Sequence, residues 1–146
     1  MSVFTRAELA YLAGQRLGRL ATVGRDGAPH VVPVGFRYDP ETDTIEVGGL
    51  GMDRSKKWRD AGREPRVAFV VDDVAATGRP RLIEIRGIAT RLASDGSATG
   101  AGHGDGMIRI TPSRVVSYGV EPDQPHDFRV TGRDVAAGPG RDGPPG

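Results

Sequence analysis

The chain has 146 residues, a length that fits one domain able to bury a core without disulfide bonds. It contains no cysteine, which excludes disulfide frameworks, thiolate zinc sites and cysteine nucleophiles. The 20 Lys and Arg residues nearly balance the 19 Asp and Glu residues, so the chain does not resemble a polycation that binds nucleic acid or membranes. No signal-peptide pattern and no bilayer-spanning apolar run is visible, and we expect a cytoplasmic protein.

The first predicted element is a short helix over about residues 6–13. Thr5 and Glu8 form a capping box, in which each side chain can bond the other residue's backbone amide. After this helix the apolar period changes from 3.6 to 2. Strands are therefore predicted at 18–23, 29–38 and 44–48, with a hairpin turn at Arg25-Asp26-Gly27.

The second half begins with a charged segment, 53–62, which predicts a short helix capped by Asp53 or Ser55. Strands are predicted at 66–71 and 81–92, followed by a pair at 108–110 and 114–120 that Thr111-Pro112 splits. About six or seven mostly antiparallel strands favour a barrel over a flat sheet. We expect one mainly β domain over 1–135, a mobile glycine-rich loop at 96–106 and a disordered Gly/Pro-rich tail at 136–146.

The segment from Gly48 to Trp58 carries the clearest chemical signal. A strand ends in glycines, which let a ligand approach the backbone, and a helix then begins beside several cations. From 54 to 66 there are six basic residues against two acidic ones. Basic residues at a helix start are unfavourable unless an anion is present, so we interpret the segment as a phosphate site. A solvated basic helix is the alternative.

Pro33 gives a second signal, because proline within a strand marks an edge or a bulge. With Gly35 it exposes backbone that a flat ring could lie against, although a barrel corner without a ligand explains the same pattern. No nucleophile has a local base, the three histidines show no metal-binding spacing, and we assign no catalytic residue and no metal. This suits an enzyme whose cofactor carries the chemistry.

Several of these segments together resemble the deazaflavin-dependent branch of the pyridoxamine 5'-phosphate oxidase-like superfamily. The similarity extends over about residues 4–120, and its order and spacing are more specific than any one piece. The matching pieces are LGRLATV at 17–23, PHVVPVGF at 29–36, KKWRD at 56–60, PRVAFVVDD at 65–73, IEIRG at 83–87 and IRITPSRVVS at 108–117.

The resemblance implies an FMN-binding-like split β-barrel that forms a homodimer with two cofactor sites at the subunit interface. The strand around Pro33 would line the ring system, and the glycine turn and the lysines after it would hold the phosphate. Arg109 and Tyr118 of the last strand would come from the same chain or from its partner. The implied cofactor-binding residues are Pro33, Val34, Val47, Gly48, Gly49, Arg54, Ser55, Lys56, Lys57, Arg109 and Tyr118.

Two cofactors compete for this site. The resemblance favours the deazaflavin coenzyme F420, whose acidic tail suits the doubled lysine, over FMN. The implied activity is an F420-dependent oxidoreductase that transfers hydride between the cofactor and a small electron-poor acceptor such as an enone, a quinone or a tetrapyrrole. The alternatives are an FMN-dependent oxidase of the pyridoxamine-phosphate type and a non-catalytic protein that binds F420, FMN or haem. For haem, His30 would be the axial ligand.

Overall fold

The computed structural model describes residues 1–92, 106–122 and 130–135. The expected tail at 136–146 and, apart from Gly106, the expected mobile loop lie outside these residues. No helix in the described ranges is long and apolar enough to cross a membrane. The elements in chain order are α1 (Arg6–Ala13), β1 (Leu17–Val23), β2 (Pro29–Gly35), β3 (Arg37–Asp39), β4 (Thr44–Gly48), a 3-10 helix (Met52–Arg54), α2 (Lys56–Arg63), β5 (Arg66–Val74), β6 (Pro80–Leu92), β7 (Met107–Tyr118) and β8 (Thr131–Asp134).

One antiparallel sheet contains all the described strands, in the order β2-β1-β5-β6-β7-β4-β3, with β8 added to β7. β2 and β3 follow each other in the chain, yet they lie at opposite ends of this order. Only Phe36 separates them, so the sheet must curl until its two ends meet. β2 consequently contacts β4 without a hydrogen-bonded ladder between them. The predicted mainly β, barrel-like fold is confirmed.

The core fills the inside of the curled sheet. Phe69 is fully buried, and Phe36 packs against it edge-on with ring centroids 5.3 Å apart. A Cβ added at Gly18 would lie 2.2 Å from the Phe69 ring, so only glycine leaves room for this aromatic side chain. Phe36 therefore does more than connect two strands, because its contact with Phe69 holds the ends of the sheet over the core.

Two predicted strand boundaries were wrong. The predicted strand 29–38 is interrupted at Phe36, where the chain passes from one end of the sheet to the other. The predicted break at Thr111-Pro112 does not occur, because β7 runs through it. Pro112 lies opposite Gly87 at a register shift where β7 carries one extra residue, Ser113, and there a residue without an N–H is tolerated.

The N-terminal helix α1 is fixed at its first turn by two sets of hydrogen bonds. The capping box is present, with the Glu8 amide donating to Thr5 Oγ1 at 3.1 Å and the Thr5 amide donating to Glu8 Oε2 at 2.9 Å. Arg133 of β8, a strand that the sequence did not predict, donates to both Glu8 oxygens at 2.8 and 2.6 Å. Burial raises the pKa of Glu8, but the hydrogen bonds and charge of Arg133 outweigh it and the pKa lies below its ordinary value.

Candidate functional site

A glycine turn joins β4 to α2 at one end of the barrel. A Cβ added at Gly48 or Gly49 would meet nothing within 4 Å. Gly51 follows with φ 70°, a left-handed conformation that glycine adopts without steric cost, and it leads into the 3-10 helix. The backbone of this turn is therefore open to a ligand.

Ser55, and not Asp53, is the N-cap of α2. Its Oγ accepts from the Trp58 amide at 3.2 Å and donates to the Met52 carbonyl at 2.6 Å. The hydroxyl of this predicted site residue is thus engaged within the chain. Its contribution is to order the start of α2, where unpaired amides and the helix dipole favour an anion.

The predicted cations at the start of α2 differ in how they are held. Lys56 Nζ donates to Asp60 Oδ2 at 2.8 Å, whereas Arg54 and Lys57 form no ion pair with any residue in the described ranges. Arg54 is exposed and Lys57 is half-buried. Cations at the positive end of a helix dipole are unfavourable by themselves, so Arg54 and Lys57 are suited to bind an anion.

Asp60 is a buried acid beneath this helix, and sequence reasoning missed it. Its Oδ2 accepts from Thr22 Oγ1 of β1 at 3.2 Å as well as from Lys56, and Arg63 lies 3.6 Å from Oδ1. Burial raises the pKa of Asp60, but the hydrogen bonds from Lys56 and Thr22 and the charges of Lys56 and Arg63 hold it below its ordinary value. The i,i+4 spacing of Lys56 and Asp60 on a predicted helix was the available signal.

Arg109 lies one strand away from the glycine turn. In the pairing of β4 with β7 it lies opposite Glu46, and Glu46 is two residues before Gly48 in the chain. Its Nη2 donates to Glu46 Oε1 at 3.2 Å, and Arg37 holds the other Glu46 oxygen at 2.7 Å. The Nε of Arg109 is buried without a hydrogen-bond partner among the described residues. One donor of this predicted site residue is therefore unused.

Pro33, Val34 and Val47 line the gap between β2 and β4. Pro33 is exposed on β2, which is an edge strand, as its sequence position predicted. Val34 and Val47 are 7% and 0% exposed and belong to the core. A ligand over this gap would meet the Pro33 ring, but it would meet only the backbone of the two valines.

Tyr118 lies far from the glycine turn and from Arg109. It lies at the opposite end of β7, beside Leu82, with the Arg79 guanidinium 5.6 Å from the centre of its ring. It lies nine positions along the strand from Arg109, which corresponds to about 30 Å at ~3.3 Å per residue. Within one chain, Tyr118 and the glycine turn do not form one site.

The comparison with known families agrees with this fold. The model for pyridoxamine 5'-phosphate oxidase matches residues 4–133. This chain belongs to the pyridoxamine 5'-phosphate oxidase family. The match covers α1, the glycine turn, α2 and all eight described strands, apart from the last residue of β8.

Two curated proteins are similar to this family member. The 5a,11a-dehydrotetracycline/5a,11a-dehydrooxytetracycline reductase of Streptomyces rimosus is 45% identical over 136 residues, which cover 92% of this chain and 94% of that protein. The F420H(2)-dependent biliverdin reductase of Mycobacterium tuberculosis is 46% identical over 39 residues, 27% of this chain and 28% of that protein. Among solved structures, the conserved hypothetical protein Rv2991 from Mycobacterium tuberculosis has the same fold, with a TM-score of 0.63, 23% identity, and 80% and 86% of the two chains covered.

This family member also has an apolar groove of about 440 Å³ on the outer face of its sheet. Arg66 and Arg86 lie at its rim, paired with Glu64 and Glu84 respectively. This groove could not be predicted from the sequence, because outward-facing apolar residues on adjacent strands become contiguous only when the strand order is known. The apolar side chains that line it are Ala21, Val23, Pro29, Ala68 and Ile88.

The described ranges offer no group of three or more His, Cys, Asp or Glu residues placed to hold a metal ion. His30 lies on β2 opposite Thr22, and its Nδ1 is buried without a hydrogen-bond partner in this part of the chain. The chemistry that these residues offer is the binding of an anion beside an open strip of backbone.

Proposed function

We propose that this chain is an F420-dependent reductase that transfers hydride from the reduced cofactor to a small, conjugated, electron-poor acceptor. The observation that carries the proposal is the open glycine turn followed, at a capped helix start, by Arg54 and Lys57, two cations that form no ion pair with the residues that the structure describes. The similarity to the Streptomyces rimosus reductase over 92% of the chain supports a reductase and an enone-type acceptor. The local similarity to the Mycobacterium tuberculosis enzyme supports F420.

The residues present fit such a cofactor. Its phosphate would lie at the start of α2 with Arg54, Lys56 and Lys57, close to the open backbone of Gly48 and Gly49. The ring system would lie along the gap between β2 and β4, where Pro33 and the backbone of the two valines are accessible. The unused Nε–H of Arg109 provides a donor at the same edge.

When bound, reduced F420 supplies the hydride. The residues of this chain bind the phosphate, orient the ring against the barrel and exclude water from one side of it. No acid or base is assigned for the accompanying proton. The charge balance favours F420 over FMN, because F420 is the more anionic of the two and several cations lie at the start of α2.

We also propose that the active form is a homodimer that pairs through the outer groove. The groove is a contiguous apolar surface on the sheet, and its arginines are already neutralised by neighbouring glutamates. Apolar surface of this kind occurs at protein interfaces and in ligand-binding grooves, and we assign this groove to an interface between two copies of the chain. Tyr118 would then serve the partner's site. The cytoplasmic location and the absence of nucleic-acid and membrane partners stay predictions.

Ala68 lies in the middle of the groove, so Ala68→Arg should convert the dimer to a monomer when mass is measured by light scattering. Val74→Arg is the matched control, because Val74 is an exposed apolar side chain outside the groove. A monomeric parent protein at micromolar concentration would disprove the dimer. If the Ala68→Arg variant remains a dimer, the interface lies outside the groove.

The cofactor is tested by equilibrium titration of the purified protein with F420 and, separately, with FMN, following cofactor fluorescence. Micromolar or tighter binding of F420 with weaker binding of FMN supports the proposal. Reduced F420 is then mixed with dehydrotetracycline-type, quinone and tetrapyrrole acceptors. Preference for FMN would indicate the oxidase alternative, and tight binding of F420 without turnover of any acceptor would indicate a carrier.

The phosphate assignment is tested by Lys57→Glu, which replaces attraction by repulsion and should weaken F420 binding by at least 10-fold at low salt, roughly the loss of one hydrogen bond to a charged group. Arg16→Glu is the matched control, because Arg16 is exposed and lies just before β1, at the opposite end of the barrel from the glycine turn. Equal affinities for both variants would exclude the start of α2 as the phosphate site.

A further inference from the structure

The two lysines at the start of α2 are the only lysines in the chain, and the structure holds them differently. Lys57 has no ion pair within the described ranges, whereas Lys56 is bonded to Asp60. Asp60 is 1% exposed, but the Lys56 side chain is 48% exposed. The carboxylate is therefore sealed inside the protein while the ammonium group that it holds remains accessible.

Lys56 is also fixed from the side of the β1–β2 hairpin. A Cβ added at Gly24 would lie 3.1 Å from Lys56 Nζ, so the ammonium rests against the hairpin backbone. Thr22, two residues earlier on β1, donates to the same Asp60 oxygen as Lys56 does. The ammonium is thus held between the helix that carries it and the strand beside it.

The charges around Asp60 do not cancel. Lys56 and Arg63 both approach this single carboxylate, so the group keeps one net positive charge. An ammonium has three donors, and Asp60 occupies one of them. Lys56 therefore still has donors and charge to offer an anion, and its contacts with Asp60 and the hairpin restrict its long side chain.

We propose that Asp60 is a positioning residue for the cofactor site: it holds the Lys56 ammonium in place so that Lys56 binds the cofactor phosphate without first being ordered. This inference rests on the proposed function. An unrestrained lysine loses rotamer entropy when it binds, and fixing it beforehand removes this cost. Lys57 and Arg54 bind the same anion without such a support.

The direction in which Asp60→Asn changes the affinity for F420 distinguishes a positioning role from a local charge effect. Removing a negative charge near an anion site should tighten phosphate binding if only the local charge matters. If Asp60 positions Lys56, the same change should weaken F420 binding by roughly 2- to 10-fold, which is the range expected for one immobilised side chain. Asp134→Asn removes the same charge from an exposed ion pair on β8 and is the control.

A double-mutant cycle separates positioning from a general effect on the fold. Lys56→Met should weaken F420 binding by roughly 10- to 100-fold, as for the loss of a hydrogen bond between charged groups. Asp60→Asn should then cause no further loss in the Lys56→Met background. An equal loss in both backgrounds would mean that Asp60 only supports the fold, and this would overturn the proposal, as would tighter or unchanged binding by Asp60→Asn alone.

Gly24→Ala tests the positioning of Lys56 in a second way, without changing any charge. Its methyl group would lie 3.1 Å from the Lys56 ammonium, the flexible end of a side chain, and should push it aside by a few tenths of an ångström, which the fold should tolerate. F420 binding should weaken by roughly 3-fold in the parent and not in the Lys56→Met background. Unchanged affinity in the parent would count against the proposal.

Lys57→Glu and Lys56→Met together distinguish an error in the phosphate site from an error in the role of Asp60. If Lys57→Glu weakens F420 binding but Lys56→Met does not, the phosphate site stands and the role of Asp60 is wrong. If neither variant changes the affinity, the phosphate site itself is wrong and the positioning role falls with it. Because the readout is the dissociation constant of F420, measured by its fluorescence, these outcomes do not depend on knowing the acceptor.

Discussion

Replacing Arg133 by methionine would leave the Glu8 carboxylate buried without its main partner. The Glu8 side chain is 1% exposed, and Arg133 donates to both of its oxygens and also to the Val3 carbonyl at 2.6 Å. Removing one partner of a buried ion pair costs roughly 3–5 kcal/mol. Arg133 is 32% exposed, so water screens part of the interaction and we expect the low end, about 3 kcal/mol. For a domain of this size that is a fall in Tm of roughly 6–12 °C.

The assay is urea unfolding followed by the fluorescence of Trp58, the single tryptophan in the chain. Glu8→Gln and the Glu8→Gln/Arg133→Met double variant complete a cycle, and Arg133→Met should cost about 1 kcal/mol or less once Glu8 is neutral. The reasoning is refuted if Arg133→Met costs less than about 1 kcal/mol in the parent, or if it costs the same in both backgrounds.

The dependence of stability on pH provides a second test of the pair formed by Glu8 and Arg133. The pKa of Glu8 is lower in the folded protein than its ordinary value of 4.5, so its contribution to stability is complete above that value. The contribution is lost as the pH falls through the lower, folded pKa. The difference in unfolding free energy between the parent and Glu8→Gln should therefore narrow below pH 4.5 and remain constant above it.

Three substitutions test packing and capping. In Gly87→Ala the new Cβ would lie 2.3 Å from the Thr111 carbonyl oxygen, a backbone atom that cannot rotate away, so urea unfolding should show a loss of roughly 1–3 kcal/mol. Gly18→Ala should cost about as much by its clash with Phe69, and adding Phe69→Leu should recover part of the loss; additive losses would contradict that clash. Ser55→Ala removes the cap of α2 and should lower the stability by about 1 kcal/mol in thermal unfolding, and no change would mean that the cap is dispensable.

Local signals predicted the parts of the fold that local chemistry determines. The capping box of Thr5 and Glu8 lies within four residues, and the predicted bounds of α1 were confirmed. β8 was missed because its residues, Thr131–Asp134, show no alternation of apolar side chains. That strand depends on its pairing with β7 and on the bond from Arg133 to Glu8, contacts between distant parts of the chain.

The boundary errors at Phe36 and Pro112 have a similar cause. An apolar residue within an alternating run predicts a continuous strand, and nothing near Phe36 reveals that the chain changes sides of the barrel there. Proline predicts a break, but the register shift at Gly87, 25 residues earlier in the chain, accommodates it. Each outcome depends on a partner strand that the local sequence does not identify.

The candidate site was predictable where its residues are contiguous. The glycine turn and the cations of α2 lie together because they follow one another in the chain, and the pairing of β4 with β7 adds Arg109. Tyr118 shares a strand with Arg109, but the length of β7 separates them. The importance of Asp60 depends on Thr22 and Gly24 of a distant hairpin, which only the three-dimensional arrangement shows.

Among the described strands, the junction at Phe36 leaves one line, between β2 and β4, along which the barrel can open without breaking a hydrogen-bonded ladder. Between β2 and β4 only side-chain packing resists opening, whereas opening along β5 or β6 would break a full ladder. In deuterium exchange, the amides of β2 that face this line should therefore exchange much faster than those of β5. A flat molecule bound between β2 and β4 would cover these amides. Slower deuterium exchange in β2 would therefore detect its binding without any chemical turnover.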